Sequence, residues 1–212
     1  MNAREILIYL HMVANNNLII NVTMHIVAIM ALAAILIITK EDLKRVIFYI
    51  TISILFLSVT INALFHGNPF HAVTFGILTL TSIIELYKNK SNIRMTNNGM
   101  NRAVGFLFIF IGLWYPEFVD KKILMLLLVS PVGIIPCPTL LTTLGLLTLM
   151  YQRGNRILCG MISLMGMIYA LIGVFVLKVY LDISLLLLVL YVIYYLVWDR
   201  RNGKYSINSN QI

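Results

Sequence analysis

The stretch Ser130-Pro131-Val132-Gly133-Ile134-Ile135-Pro136-Cys137-Pro138-Thr139 lies inside the apolar segment Ile123 to Tyr151, and its reading decides how often the chain crosses a bilayer. The segment has 29 residues, about 43 Å if fully helical at ~1.5 Å per residue. That is too long for one straight span and too short for two. Pro131, Pro136 and Pro138 each remove a backbone donor and disfavour helical backbone just before the ring. One discontinuous helix is therefore expected, without continuous α-helix from Pro131 to Pro138 and with its second half beginning near Pro138-Thr139. A re-entrant pair is the competing reading.

Six further apolar stretches flank this one. They run from about Leu18 to Ile38, Val46 to Phe65, His71 to Tyr87, Ala103 to Phe118, Ile157 to Leu177 and Ile183 to Trp198. A polar loop, Lys88 to Arg102, separates the third from the fourth. Composition agrees with a chain built mostly of spans. It is 60% apolar and 11% charged, with a mean hydropathy of +0.92. Soluble domains carry about 45–50% apolar and about 25% charged residues. The expected fold is an all-α integral membrane protein, a seven-transmembrane-helix bundle with a proline-broken fifth helix.

The net charge of +8 does not point to nucleic acid, because the basic residues sit in short connections. With a single broken fifth helix, 12 of the 16 Lys and Arg residues fall on one side and 4 on the other. The positive-inside rule places the rich side in the cytoplasm. The expected location is the plasma (inner) membrane, with the N-terminus outside and the C-terminal tail, including Arg200, Arg201 and Lys204, inside. A re-entrant fifth segment would swap the later connections and spoil the asymmetry.

Three regions follow. Residues 1–17 form an N-terminal interfacial segment, with Ile6, Tyr9, Leu10 and Val13 on one helical face. Residues 18–198 form the seven-helix domain. Residues 199–212 form a polar cytoplasmic tail whose composition suits disorder. Ala31-Leu32-Ala33 resembles a signal-peptide cleavage site but lies within a continuous apolar run, so cleavage is not expected. Cys137 and Cys159 lie in apolar segments and read as reduced and buried.

Gly133, Pro136-Cys137-Pro138-Thr139, Thr142 and the run Leu144-Gly145-Leu146-Leu147 resemble the core of an uncharacterised family of small bacterial and archaeal multi-pass membrane proteins, known only as a domain of unknown function. Asn62 to Pro69, Tyr169-Ala170-Leu171-Ile172-Gly173 and Asp182 extend the resemblance over most of the chain. The chain departs from the family pattern at Leu140, where that pattern has Thr, and at Lys178, where it has apolar or small residues. The resemblance implies a helical membrane fold and carries no activity with it.

Polar groups inside a membrane are costly and so mark candidate sites. Asn17, Asn21 and His25 share one helical stripe, as do Ser58, Asn62 and His66. A third stripe holds His71, Thr74, Thr81 and Glu85. Under the expected orientation His25, Asn62, His66, His71, Glu117, Lys178 and Asp182 gather in the outer half. The candidate ligand-binding residues are His25, Asn62, His71, Cys137 and Thr139. Each has a plainer reading: histidines satisfied by a neighbouring helix, Cys137 as a small residue in a kink, Lys178 and Asp182 as a surface pair four residues apart. Ser163, Gly166, Ala170 and Gly173 form a small-residue stripe suited to helix packing.

The broken helix suggests a membrane protein that binds or transports a small solute or ion through an outward-facing polar pocket. Exposed donors at the start of the second half-helix would favour an anionic group. The alternatives are a sensor or accessory subunit with a membrane-protein partner, and a membrane enzyme. An enzyme would need His25, His66 and His71 on a metal, or Cys137 activated by a histidine. No pair has diagnostic spacing, which weighs against it. The sequence identifies no cofactor. The partners it implies are the lipid bilayer and a small solute or ion.

Overall fold

Helix is the regular structure of this chain, with no strand among the described residues. The structure is a computed structural model. It describes residues 3–88, 95–122, 124–150 and 156–208, with backbone only at 156 and 198–208. Helix α1 covers Ala3–Asn16, α2 Leu18–Ile37, α3 Glu41–Phe65 and α4 Pro69–Lys88. Helix α5 covers Gly99–Leu113, α6 the single turn Leu126–Val129, and α7 Pro136–Leu149. Helix α8 covers Arg156–Leu171, ends in a π-helical turn Ile172–Val176, and is followed by α9, Asp182–Asn208.

Local chemistry explains the boundaries. The α3–α4 turn uses Gly67 at φ +66°, a conformation open to glycine. Asn68 then accepts from the His71 amide at 3.1 Å, ahead of Pro69 in the first helical position. Helix α4 therefore starts two residues before the expected His71. Asn98 caps α5 by accepting from the Met100 amide, so that helix begins at Gly99 rather than Ala103. It stops at Leu113 rather than Phe118, because Pro116 disfavours helical backbone at the residue before it. Between α1 and α2, the Asn17 and Asn21 side chains donate to the Val13 and Ala14 carbonyls that the end of α1 leaves unpaired.

Among the described residues, four helices are long and apolar enough to cross a membrane: α2, α3, α4 and the stretch Ile157–Leu177. Three shorter apolar helices accompany them, Gly99–Leu113, Pro136–Leu149 and Asp182–Val197. All fourteen residues of α7 are buried. Helices α3, α5, α8 and α9 pack around it. Glycines allow the closest of these contacts. A Cβ on Gly145 would lie 2.9 Å from the Gly105 carbonyl oxygen of α5, and one on Gly112 would collide with the Thr142 hydroxyl. Gly166, in the stripe expected to serve packing, faces Val189 of α9 in the same way. Large apolar side chains point outward instead, with Ile19 and Phe65 each 84% exposed. Such a surface suits lipid and not water.

The fifth segment is broken, as its prolines require, but the break is placed differently. Its end residues Ile123 and Tyr151 lie outside the described residues. The half before the break is only the single turn α6. The non-helical stretch is 130–135, and the second half starts at Pro136, not at Pro138-Thr139. A proline is tolerated in the first turn because its missing N–H would have had no partner there. Pro136 and Pro138 thus open α7 instead of interrupting it. At the other end of the chain, helical backbone runs on to Asn208. Residues 199–208, whose composition suits disorder, carry helical backbone continuous with α9; residues 209–212 lie outside the described residues. So do residues 89–94 of the loop between α4 and α5.

Candidate functional site

The break brings irregular backbone into the protein interior, and that backbone is paired. Gly133 turns the chain at φ +77°, and a Cβ there would meet the Met24 side chain at 2.7 Å. The Gly133 amide donates to the Thr139 hydroxyl at 2.8 Å, and that hydroxyl donates to the Ile135 carbonyl at 2.7 Å. Ser130 ties the start of the break to α5 by donating to the Gly112 carbonyl at 2.9 Å. Non-helical backbone at membrane depth is tolerated where it is enclosed by protein or lines a cavity. Here it does both, since Ile135 and Pro136 form part of a cavity wall.

That cavity measures about 250 Å³. It lies among the starts of α4, α7 and α9 and the π-helical end of α8, and α1 covers it with Ile6, Tyr9 and Leu10. The apolar face expected on the N-terminal segment is real, and it is turned onto the protein, with Leu10 and Val13 buried. Asn15 holds the end of α1 down by donating to the Phe118 carbonyl at 2.9 Å and accepting from the Asp120 amide at 3.0 Å.

Asp182 is the charged group of the site. It is 1% exposed, in the first position of α9, and lines the cavity. The Tyr115 hydroxyl donates to one carboxylate oxygen at 2.5 Å, and the Cys137 thiol donates to the other at 3.3 Å. Burying a carboxylate is costly without such partners. Two helix starts, those of α7 and α9, add the positive ends of their dipoles. Room for the carboxylate exists because residue 173 is glycine: a Cβ there would overlap an Asp182 oxygen. The π-helical turn that carries Gly173 also redirects the chain, and the Val179 amide closes back onto the Gly173 carbonyl at 2.9 Å. Lys178 makes no ion pair with Asp182. It sits at φ +58° in the turn before α9, so the expected i, i+4 surface pair does not form.

Aromatic rings complete the walls. Tyr169 lies 5.4 Å from His71 and 5.8 Å from Phe70, centroid to centroid, and Tyr9 and Phe118 add two more rings. Asn68 approaches the His71 Nδ1 at 3.1 Å. No group of three or more His, Cys, Asp or Glu side chains is placed to hold a metal among the described residues.

Of the five candidate residues, the structure brings His71 and Cys137 together on this cavity. Thr139 is fully buried one turn below Pro136 and its hydroxyl serves the break. His25 is buried at 1% exposure against the backbone of Leu127 and Ser130 at the end of α6, with neither ring nitrogen in a well-formed hydrogen bond. Asn62 lines a separate groove between α2 and α3, and its backbone carbonyl accepts from the His66 Nδ1–H at 2.8 Å. The sequence gives no sign of a role for Tyr115, and it marks Asp182 as an outer polar group, a surface partner of Lys178 and part of the family resemblance, but not as a candidate ligand-binding residue. Its place at the start of an apolar helix is the signal that could have raised it. Comparisons with protein-family models, curated proteins and solved structures return no match, so the site is read from its own chemistry.

Proposed function

We propose that this chain is a seven-span membrane protein that binds or transports a small solute or ion through the cavity beside the broken helix. The observation that carries the reading is a 250 Å³ cavity reached by both a buried carboxylate and the backbone of the helix break. Four long apolar helices supply part of the span count, and α5, α7 and the apolar part of α9 supply the rest. At about 21–24 Å these three are shorter than a hydrocarbon core of about 30 Å. Irregular backbone enclosed by protein makes up the difference for α7. In the orientation derived from the basic residues, the cavity faces outward and α1 lies over its mouth. The likeness of the Gly133 to Thr139 core to an uncharacterised membrane family adds a setting and no activity.

A solute panel tests this reading. Purified protein in detergent is screened by thermal shift against small polar solutes and inorganic ions, in parallel with Ile6→Trp, which fills the cavity from α1. At least one compound is expected to raise the melting temperature of the parent and not of Ile6→Trp. A panel without any shift, or shifts retained in Ile6→Trp, would refute solute binding in this cavity.

A further inference from the structure

Taking the cavity as a solute site, we propose that its occupant is a small organic ammonium ion, held by Asp182 against a wall of aromatic rings. Charge is the first argument. Asp182 is the ionisable carboxylate on the cavity wall, and its two contacts, Tyr115 and Cys137, are neutral donors. A carboxylate offers about four lone-pair positions, and these contacts use two. Glu117 is near enough to add to the negative field at Asp182. Among the described residues, no Lys or Arg lines the cavity. The positive helix ends, which would otherwise favour an anionic solute, already face this carboxylate. A cation brings a full countercharge, which neutral donors and helix ends do not supply, whereas an anion would add a second negative charge beside Asp182.

The wall chemistry then separates organic from inorganic cations. A hard metal ion takes about six or more oxygen ligands. The described lining offers few oxygens, and it holds no cluster suited to a metal. What it offers is carbon: Phe70, Tyr169, Tyr9 and Phe118, with the His71 ring tilted against the first two at centroid distances of 6.0 and 5.4 Å. Aromatic faces attract weakly hydrated ammonium groups within about 6 Å of the ring centroid. The volume suits a solute of a few heavy atoms; it falls below the roughly 300–1,000 Å³ of drug-sized sites.

The test uses the full chain in detergent, with choline and methylammonium as probes and 3,3-dimethylbutan-1-ol as the neutral counterpart of choline. Sodium and potassium chloride are run beside them. Binding is read by calorimetry and thermal shift. An ammonium probe is expected to bind saturably, and the neutral alcohol at least about tenfold more weakly. Asp182→Asn should weaken the ammonium probe by a similar factor. Should Asp182→Asn fail to fold, Tyr169→Phe and Tyr169→Leu decide the matter: the ring-keeping variant retains binding and the other loses several-fold. Equal binding of the neutral alcohol, undiminished binding in Asp182→Asn, or equal loss in the two Tyr169 variants would each overturn the ammonium assignment. So would binding of sodium or potassium alone. Those results, with Ile6→Trp still blocking whatever binds, leave the cavity reading standing. Absence of binding by every probe overturns the ammonium assignment, and the wider solute panel then decides the cavity itself.

Discussion

Replacing Thr139 with valine tests whether the helix break is held by one hydroxyl. Valine keeps the shape of threonine, and the side chain is fully buried, so packing changes little. Two hydrogen bonds disappear, the 2.8 Å bond from the Gly133 amide and the 2.7 Å bond to the Ile135 carbonyl. The Ile135 carbonyl still accepts from the Thr139 amide at 3.4 Å, so its loss is partly covered. The Gly133 amide has no such reserve. A buried donor left without a partner costs about 1–3 kcal/mol. The total expected for Thr139→Val is therefore about 2–3 kcal/mol. Thr143→Val is the control, because that hydroxyl donates only to the Thr139 and Leu140 carbonyls of its own helix. Its cost is expected to stay below about 1 kcal/mol, since those carbonyls keep their backbone bonds. Unfolding in mixed detergent and SDS gives both values, and hydrogen exchange of the peptide over residues 130–139 reports the Gly133 amide. Equal costs for the two variants, with unchanged exchange at Gly133, would refute the hydroxyl clamp.

Gly173→Ala forces a methyl group into Asp182 and should cost about 1–3 kcal/mol by overpacking; in an Asp182→Ala background most of that penalty should vanish, and a thermal-denaturation cycle without coupling would contradict the fit. Gly112→Ala drives a methyl group against the Thr142 hydroxyl and the Pro138 carbonyl, and is expected to destabilise the α5–α7 contact by about 2 kcal/mol or more; a melting temperature equal to that of Gly99→Ala, at an open position, would exclude it. His25→Ala, which lies against α6 and not on the ammonium cavity, should lower the melting temperature and leave probe affinity unchanged; a tenfold loss of affinity would bring His25 into the binding site. With Cys137 and Cys159 replaced, a cysteine in the α4–α5 loop should resist an impermeant thiol reagent in intact cells while one near residue 3 reacts; the reverse pattern would invert the topology.

Much of the architecture is legible along the chain because it depends on near neighbours. Apolar runs ask for helices, prolines exclude helical backbone ahead of their rings, and the 3.6-residue spacing of Ile6, Tyr9, Leu10 and Val13 marks one face of α1. The length of the break was less legible. A proline before the helix and a proline in its first turn look alike in sequence, and only the start of α7 separates Pro131 from Pro136 and Pro138. The lone stripes were ambiguous for a related reason. Asn17, Asn21 and Thr139 are polar residues in apolar surroundings, as a ligand site requires, yet their partners are backbone groups at helix ends and at the break.

Local features of the chain establish that it is helical, that it carries segments suited to lipid, and that the fifth of these cannot be one continuous helix. Those properties follow from composition, periodicity and covalent geometry, which act over a few residues. What the break lies next to depends instead on how distant segments pack. Asp182 is 45 residues from Cys137 and 67 from Tyr115 along the chain. Their meeting depends on how α7, α8 and α9 pack and on the absence of a side chain at Gly173. A carboxylate at the start of an apolar helix can face water or be buried. The choice rests on whether donors and helix ends from distant segments converge to offset its desolvation, and local sequence carries no record of that convergence.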